Sequence, residues 1–195
     1  MNKFIETMIT RHAIRKYQNK QIEKNILEQI LTAGLYAPSA GNNQRSRIVV
    51  CQNKDLNKKL GELSRYVEFK GQKVEDVVQS ISNDQPSIKD DITIKDGFYN
   101  APTVITIFTP KMRYTYEDAA MIAENIMLAA HALNIGSCYI GRASMVFDTD
   151  FGNEIRKQWK IDDNYVAVGH VLLGYIDGPA PKAKPRKDNR IIRVK

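Results

Sequence analysis

Positively charged side chains stand near both ends of the sequence in patterns that suit an anionic ligand. Arg11 and Arg15 are four residues apart, and Lys184 and Arg186 flank a proline near the carboxyl end. A guanidinium group can donate two parallel hydrogen bonds to a phosphate, and a lysine adds a point charge. Arg11, Lys184 and Arg186 therefore form a candidate phosphate clamp.

Two further motifs suit a flat heterocycle. Residues 37–44 combine small side chains, which let a ring approach the backbone, with amides that can pair with the ring edge. The candidate residues there are the small Ser39, Ala40 and Gly41 and the amides Asn42 and Gln44. Residues 136–141 read Gly-Ser-Cys-Tyr-Ile-Gly, so a backbone N–H near Ile140 and Gly141 could meet a ring without a Cβ in the way.

Each motif also has an ordinary structural interpretation. Arginines at a helix end can cap carbonyl groups, and Pro38-Ser-Ala-Gly-Asn is favourable turn chemistry. A basic carboxyl-terminal run is usually a solvated tail. The functional interpretation depends on the four motifs occurring together.

Several common active sites are excluded by the sequence. It has no P-loop, no G-x-G-x-x-G after a strand and no G-x-S-x-G elbow. The three histidines make no metal-binding spacing with each other or with the cysteines, and His131 and His170 are interpreted as structural. Cys51 and Cys138 lie in apolar runs typical of free buried thiols. We expect no metal site and no protein nucleophile, so that the chemistry would belong to a cofactor.

The net charge of +7 is concentrated at the two ends of the chain. Residues 1–20 hold five basic and one acidic side chains, and residues 182–195 hold seven and one, so the body between them is slightly acidic. The basic tail lacks an aromatic residue for base stacking. These features argue against a nucleic-acid partner. No apolar run approaches the length of a membrane span, and the amino terminus lacks a secretory signal, so we expect no membrane partner and a cytoplasmic location.

Hydrophobic periodicity predicts an α+β fold in a single domain, residues 1–195. Residues 66–98 are irregular and are interpreted as a variable substrate-access segment, and residues 178–195 as an extended arm. The predicted helices cover residues 4–9, 23–37, 56–63, 116–133 and 150–159, and the predicted strands cover 47–52, 102–109, 137–140 and 165–175.

Taken in order, the four motifs resemble those of the FMN-dependent nitroreductase family. They are Arg11-His-Ala-Ile-Arg15, Ala-Pro-Ser-Ala-Gly-Asn-Asn-Gln over 37–44, the 136–141 motif and Lys-Pro-Arg over 184–186. The resemblance extends from Arg11 to Arg186. It implies a mixed β-sheet between helices in three layers, an intertwined homodimer and FMN bound at the dimer interface.

The positions that match the family imply three groups of FMN contacts. The group at the phosphate and ribityl chain is Arg11, His12, Ala13, Lys184 and Arg186. The group around the flavin ring is Arg15, on the pyrimidine side, with Ile140 and Gly141. The group supplied by the partner subunit is Pro38, Ser39, Ala40 and Asn42.

The resemblance also implies the activity. NADH or NADPH would reduce the flavin, and a nitroaromatic, quinone or similar acceptor would reoxidise it, in a ping-pong sequence. Arg15 would support the flavin by stabilising negative charge at N1/O2, without a catalytic residue from the protein. Alternatives are a dehalogenase, dehydrogenase or flavin-fragmenting enzyme of the same fold, a flavin-binding protein without turnover, or a nucleic-acid binder using the basic tail.

The sequence departs from the family pattern at three places. Arg45-Ser46 replaces the usual Pro-Trp after the second motif, Ala13 replaces a small polar residue, and Arg142 replaces a second glycine. Arg142 is interpreted either as a cation near the substrate, such as an NADPH phosphate, or as a surface arginine paired with an acid.

Overall fold

A four-stranded antiparallel sheet forms the centre of the chain. The computed structural model describes residues 1–68, 93–181 and 185–194. The strand order is β1-β2-β4-β3, and each of the three neighbouring pairs is antiparallel. The strands are β1 (Arg47–Cys51), β2 (Thr103–Pro110), β3 (Gly136–Ile140) and β4 (Tyr165–Gly174). All four predicted strands are confirmed.

Parallel pairing enters the sheet at its β3 edge. Ala13 forms a parallel bridge with Ser137, and Tyr17 forms an antiparallel bridge with Ile176. These bridges attach the first arginine motif to the sheet and give it the mixed character that the resemblance implies.

Six α-helices are present in the described ranges. They are α1 (Lys3–Thr10), α2 (Lys24–Leu35), α3 (Lys54–Glu68), α4 (Thr115–Ala132), α5 (Ala143–Phe147) and α6 (Asp150–Gln158). Five of them confirm the helical periodicity of the sequence, and α5 was not expected. The predicted α+β class is therefore confirmed.

The helices cover both faces of the sheet and so produce three layers. Ile105 and Ile107 of β2 pack in a core cluster with α2 and α4, whereas Val104 and Phe108 pack in a second cluster with α3, α5 and α6. This alternation follows from the two-residue period of a strand. Both faces of β4 are buried, as its continuous apolar run predicts.

Helix α1 differs from the other helices because none of its residues is buried. Its large apolar side chains are all exposed, and they are Phe4, Ile5, Met8 and Ile9. No helix in the described ranges is long and apolar enough to cross a membrane. Of the expected substrate-access segment, residues 69–92 lie outside the described residues.

Candidate functional site

The first arginine motif lies along the outer edge of β3. The backbone N–H of Ile14 donates to the Ser137 carbonyl at 2.8 Å, next to the Ala13 bridge. Ile14 is 5% exposed, so its side chain anchors the segment in the protein. Arg11 is half-buried and Arg15 is exposed, one on each side of that anchor. The sequence therefore places both guanidinium groups on one sheet edge.

Arg11 and His12 border a small niche where α1 meets the end of α4. The Thr10 hydroxyl lies 2.9 Å from Nε2 of His131, and the Thr10 carbonyl lies 2.8 Å from Nδ1 of His12. Gly136 forms part of the wall, since a Cβ there would lie 2.9 Å from the Ile14 side chain. We call this the Arg11–His12 niche.

The niche is electrostatically positive. Burial is the main cause that lowers the pKa of His131, and the charges of His12 and Arg11 lower it further. The two imidazole rings are 6.3 Å apart between centroids. Since Arg11 carries a permanent positive charge at the niche, an anion such as a phosphate would be attracted there. This is the location that the sequence predicts for the phosphate group.

A second cationic cluster surrounds Arg15 further along β3. The Arg15 guanidinium carbon lies 5.9 Å from the ring centroid of Tyr99, and the charge of Arg15 acts on both Tyr99 and Cys138. The charge of Arg142 also acts on both groups. Burial raises the pKa of Tyr99 and that of Cys138, so both are neutral at pH 7. Arg142 thus lies in the Arg15 cluster.

The space around the backbone of Gly141, at the end of β3, is open. Ile140 is 5% exposed and pairs with His170 of β4, whereas Gly141 is exposed. A Cβ built on Gly141 would meet only the edge of the Tyr139 ring, at 3.6 Å. The backbone at Gly141 is therefore accessible to a flat ligand, as the sequence predicts.

His170 is buried behind this edge and has a structural contact. Its Nδ1 lies 2.9 Å from the Thr106 hydroxyl, and its ring packs edge-on against Phe98 at 4.7 Å. Burial, with a smaller effect of the Arg142 charge, lowers the pKa of His170 to about 3. The imidazole is therefore neutral at physiological pH, in keeping with its structural interpretation.

The second motif forms a braced loop at the start of α4. The backbone N–H of Ala40 donates to Asp118 Oδ1 at 2.9 Å, which ties the loop to the helix. Within the loop, the Gln44 N–H donates to Ser39 Oγ at 3.1 Å, and the Gln44 amide donates to Asn42 Oδ1 at 3.0 Å. The amides of Asn42 and Gln44 are exposed. We call residues 38–44 the amide loop.

The backbone of the amide loop explains its residue types. Gly41, Asn42 and Gln44 have φ angles of 60°, 54° and 52°, in the left-handed region. Glycine and asparagine adopt this region most readily. The sequence thus predicts the turn but not that Gln44 shares the left-handed conformation.

The amide loop and the Arg11–His12 niche lie at opposite ends of α4 in one chain. Asp118 stands in the first turn of α4 and His131 in its last turn. Thirteen residues at the helical rise of 1.5 Å separate them by about 20 Å. Within one chain, the amide loop and the Arg11–His12 niche therefore lie apart along the length of α4.

The basic tail begins beside the niche, where Ala180 forms part of the wall. Arg186 is exposed, and among residues 1–68, 93–181 and 185–194 its side chain forms no ion pair or hydrogen bond. Lys184 lies outside the described residues. The expected clamp of Arg11, Lys184 and Arg186 is thus not assembled by the described part of one chain.

Sequence reasoning did not assign three residues that the structure places at these sites. His131 was interpreted as structural, yet it borders the niche; its position just before the 136–141 motif was the available signal. Asp118 ties down the amide loop, and Tyr99 contacts Arg15. Neither Asp118 nor Tyr99 lies in a recognisable sequence motif, because both contacts join segments that are far apart in sequence.

Comparison with known proteins identifies the family of the chain. The model of the Nitroreductase family matches residues 8–175. The chain belongs to the nitroreductase family. A nitroreductase with bound FMN from Bacteroides fragilis is 27% identical, with all of both chains covered and a TM-score of 0.83.

Other nitroreductase relatives extend the comparison. A nitroreductase with bound FMN from Desulfitobacterium hafniense is 25% identical, again with all of both chains covered, at a TM-score of 0.82. An NADPH-flavin oxidoreductase of Vibrio harveyi is 24% identical over 98% of this chain and 73% of its own length. This nitroreductase therefore shares its fold and most of its length with proteins whose names refer to flavins.

Proposed function

We propose that this nitroreductase binds FMN and uses NADH or NADPH to reduce nitroaromatic compounds, quinones or similar electron-poor acceptors. One observation carries the proposal. The Arg11–His12 niche, the Arg15 cluster and the open backbone at Gly141 follow one another along a single edge of β3. A ligand with a phosphate at one end and a flat ring at the other matches that order.

The residues present fit FMN in both length and charge. The five residues of β3 span about 16 Å, which suits a ligand with separated phosphate and ring. Among the described residues, Arg11 has no ion pair, and a phosphate would supply one. Arg11, His12 and Ala13 would hold the phosphate and ribityl chain, and Ile140 with Gly141 would line the ring.

Arg15 would act at the pyrimidine side of the ring. Its neighbours Tyr99 and Cys138 are neutral, so they leave its positive charge uncompensated. FMN, when bound, accepts a hydride at N5 and passes it on. Arg15 would stabilise the negative charge that the ring gains, by electrostatic attraction in a partly desolvated place.

A homodimer would complete the site. The amide loop lies about 20 Å from the niche in its own chain, so we assign it to the flavin whose phosphate another chain would hold. Helix α1 exposes Phe4, Ile5 and Met8, and such an apolar surface is typical of a protein–protein interface. The residues that would come from the partner subunit are Pro38, Ser39, Ala40, Asn42 and Gln44, and the tail residues Lys184 and Arg186 would reach the phosphate.

The whole chain, residues 1–195, would then act as one FMN-binding domain. Both core clusters share the strands of one sheet, and no described segment forms a core of its own. The arm over residues 178–195 would extend over the partner subunit. Its described residues are all exposed, as expected for a segment whose contacts lie in another chain.

The visible spectrum of the purified protein tests the proposal. We expect a yellow protein that bleaches with NADH or NADPH in the absence of oxygen and is reoxidised by a nitroaromatic or a quinone. Parallel double-reciprocal plots would support alternate use of one place by the two substrates. A protein that takes up no FMN would refute the proposal, and a yellow protein that resists reduction would leave only the binding.

A further inference from the structure

The backbone corner before β2 is held in an unusual conformation. Tyr99 and Asn100 both have a φ of 54°, although neither is a glycine. Glycine, asparagine and aspartate adopt this backbone region most readily, so Tyr99 is the more unusual of the two residues. Such outliers persist where the surroundings fix them, and they concentrate at functional sites.

Asp96 and Phe98 fix this corner from two sides. Asp96 accepts hydrogen bonds from the backbone N–H groups of Phe98 and Asn100, both at 2.7 Å, with one carboxylate oxygen for each. Phe98 is 1% exposed and packs against the His170 ring. The corner is therefore anchored in the core, and the side chain of Tyr99, which lies between the two anchors, points in a fixed direction.

Tyr99 is directed at Arg15. The guanidinium carbon lies 5.9 Å from the ring centroid, within cation–π range. Cys138 of β3 is close enough for the charge of Arg15 to act on it. Arg15 is otherwise an exposed arginine, whose several rotatable bonds would leave it free to sample many positions.

The partners of Arg15 fix its position without neutralising its charge. Among the described residues, three ion pairs form, and all involve other cations: they join Lys16 to Asp177, Arg47 to Asp162 and Arg156 to Asp163. A carboxylate beside Arg15 would hold the guanidinium equally well but would cancel its field at a nearby ligand. The neutral Tyr99 side chain contacts the guanidinium and preserves that field.

We propose that Tyr99 is a positioning residue, which holds the Arg15 guanidinium at the pyrimidine edge of FMN and thereby makes the bound flavin easier to reduce. This inference rests on the proposed FMN site. It goes further because it assigns a role to a residue outside the four sequence motifs.

A double-mutant cycle on the reduction potential of bound FMN tests the inference. Tyr99→Leu keeps the apolar bulk but removes the ring and hydroxyl, so the equilibrium constant for reduction should fall by about tenfold, or about 30 mV for a two-electron couple. Arg15→Ala should lower it at least as much. In the Arg15→Ala background, Tyr99→Leu should have no further effect, since Tyr99 acts through Arg15.

Two more variants keep the test falsifiable. Tyr99→Phe retains the cation–π contact and should give a smaller shift, and it reports on the hydroxyl if Tyr99→Leu folds poorly. Tyr165→Leu is the matched control, because Tyr165 also packs against the second core cluster and lies 5.0 Å from an arginine, Arg47. The control should leave the potential of bound FMN unchanged.

Phenylglyoxal labelling of Arg15 supplies a readout that needs no flavin. Tyr99→Leu should raise the labelling rate of Arg15, measured by peptide mass spectrometry, while Tyr165→Leu should not. Equal shifts of potential in the wild-type and Arg15→Ala backgrounds, or an unchanged potential and labelling rate in Tyr99→Leu, would overturn the inference. A wild-type protein that takes up no FMN would instead refute the proposed function, so the two failures are distinguishable.

Discussion

Arg15 is the charged residue on which the proposed chemistry depends most directly. Arg15→Ala should retain FMN, because Arg11 and His12 would hold the phosphate, but it should slow flavin reduction by NAD(P)H about 100-fold, since the developing charge loses its partner. Stopped-flow absorbance under anaerobic conditions measures this rate. Lys16→Ala, which removes an exposed neighbouring cation paired with Asp177 at 3.0 Å, is the control. An unchanged reduction rate in Arg15→Ala would remove Arg15 from the mechanism.

His170 makes the stability of the fold depend on pH. Its pKa in the folded protein is about 3, chiefly because of burial, whereas an unfolded histidine has a pKa of about 6.5. The unfolded chain therefore binds the proton first as the pH falls. The stabilisation is complete above about pH 6.5 and is lost progressively towards pH 3, by about 2 kcal/mol at pH 5.

The His170→Asn variant isolates this effect. Its amide can still hydrogen-bond Thr106 but does not titrate between pH 5 and 7.5. Urea unfolding at both pH values should show a smaller loss of unfolding free energy on acidification in the variant than in the wild type. The same pH dependence in both proteins would show that His170 is not the titrating group.

At the level of single residues, the sequence could predict only those site residues that lie in one of the four motifs. Arg11, His12 and Arg15 are close in sequence and lie on one strand edge, so their spacing was enough to predict that they belong to one site. Tyr99 and Asp118 reach the site through tertiary contacts. Their roles depend on the left-handed corner and on the course of α4, which no local pattern specifies.

At the level of elements, Asp118 connects α4 to the amide loop. Asp118→Ala leaves the half-buried Ala40 N–H without its acceptor, so the unfolding free energy should fall by about 1–3 kcal/mol. We also expect FMN affinity to fall about tenfold, because the loop would no longer be held in place. Calorimetry and flavin fluorescence measure the two effects.

Two variants separate the hydrogen bond from the helix dipole. Glu117→Ala removes the exposed acid beside Asp118 in the same first turn and should change FMN affinity little. Asp118→Asn keeps an acceptor oxygen for Ala40 and should lose less than Asp118→Ala. If Glu117→Ala and Asp118→Ala weakened FMN binding equally, the contact with Ala40 would not be the cause.

The longer elements were predictable because each repeats its apolar pattern over several turns or residues. Helix α5 was missed since its five residues complete little more than one turn and fall next to a glycine motif. The pairing of β2 with β4 is irregular between Ile107 and Phe108. This irregularity could not be predicted either, because the sequences of both strands are continuous apolar runs. Strand order depends on pairing between distant segments and came from the structure.

At the level of the whole molecule, the position of the motifs on α4 leads to a specific prediction about the proposed homodimer. A closed two-fold pair brings the same surface of each chain to the other, so it can create two equivalent composite sites. In each site, one chain would supply the niche and the Arg15 cluster, and its partner would supply the amide loop. A mutation in either part therefore damages both sites of a homodimer, but the two kinds of mutation fall in the same site of a mixed dimer.

Subunit complementation tests this arrangement directly. One variant carries Arg11→Ala and Arg15→Ala, the other carries Ser39→Ala, Asn42→Ala and Gln44→Ala, and each alone should be nearly inactive. Co-expression with two different tags allows purification of the mixed dimer, in which one site is doubly damaged and the other is intact. Its turnover should recover to about half of the wild-type value per dimer. If each site were built within one chain, the mixed dimer would stay as inactive as its parents, and size-exclusion chromatography would establish that dimers had formed.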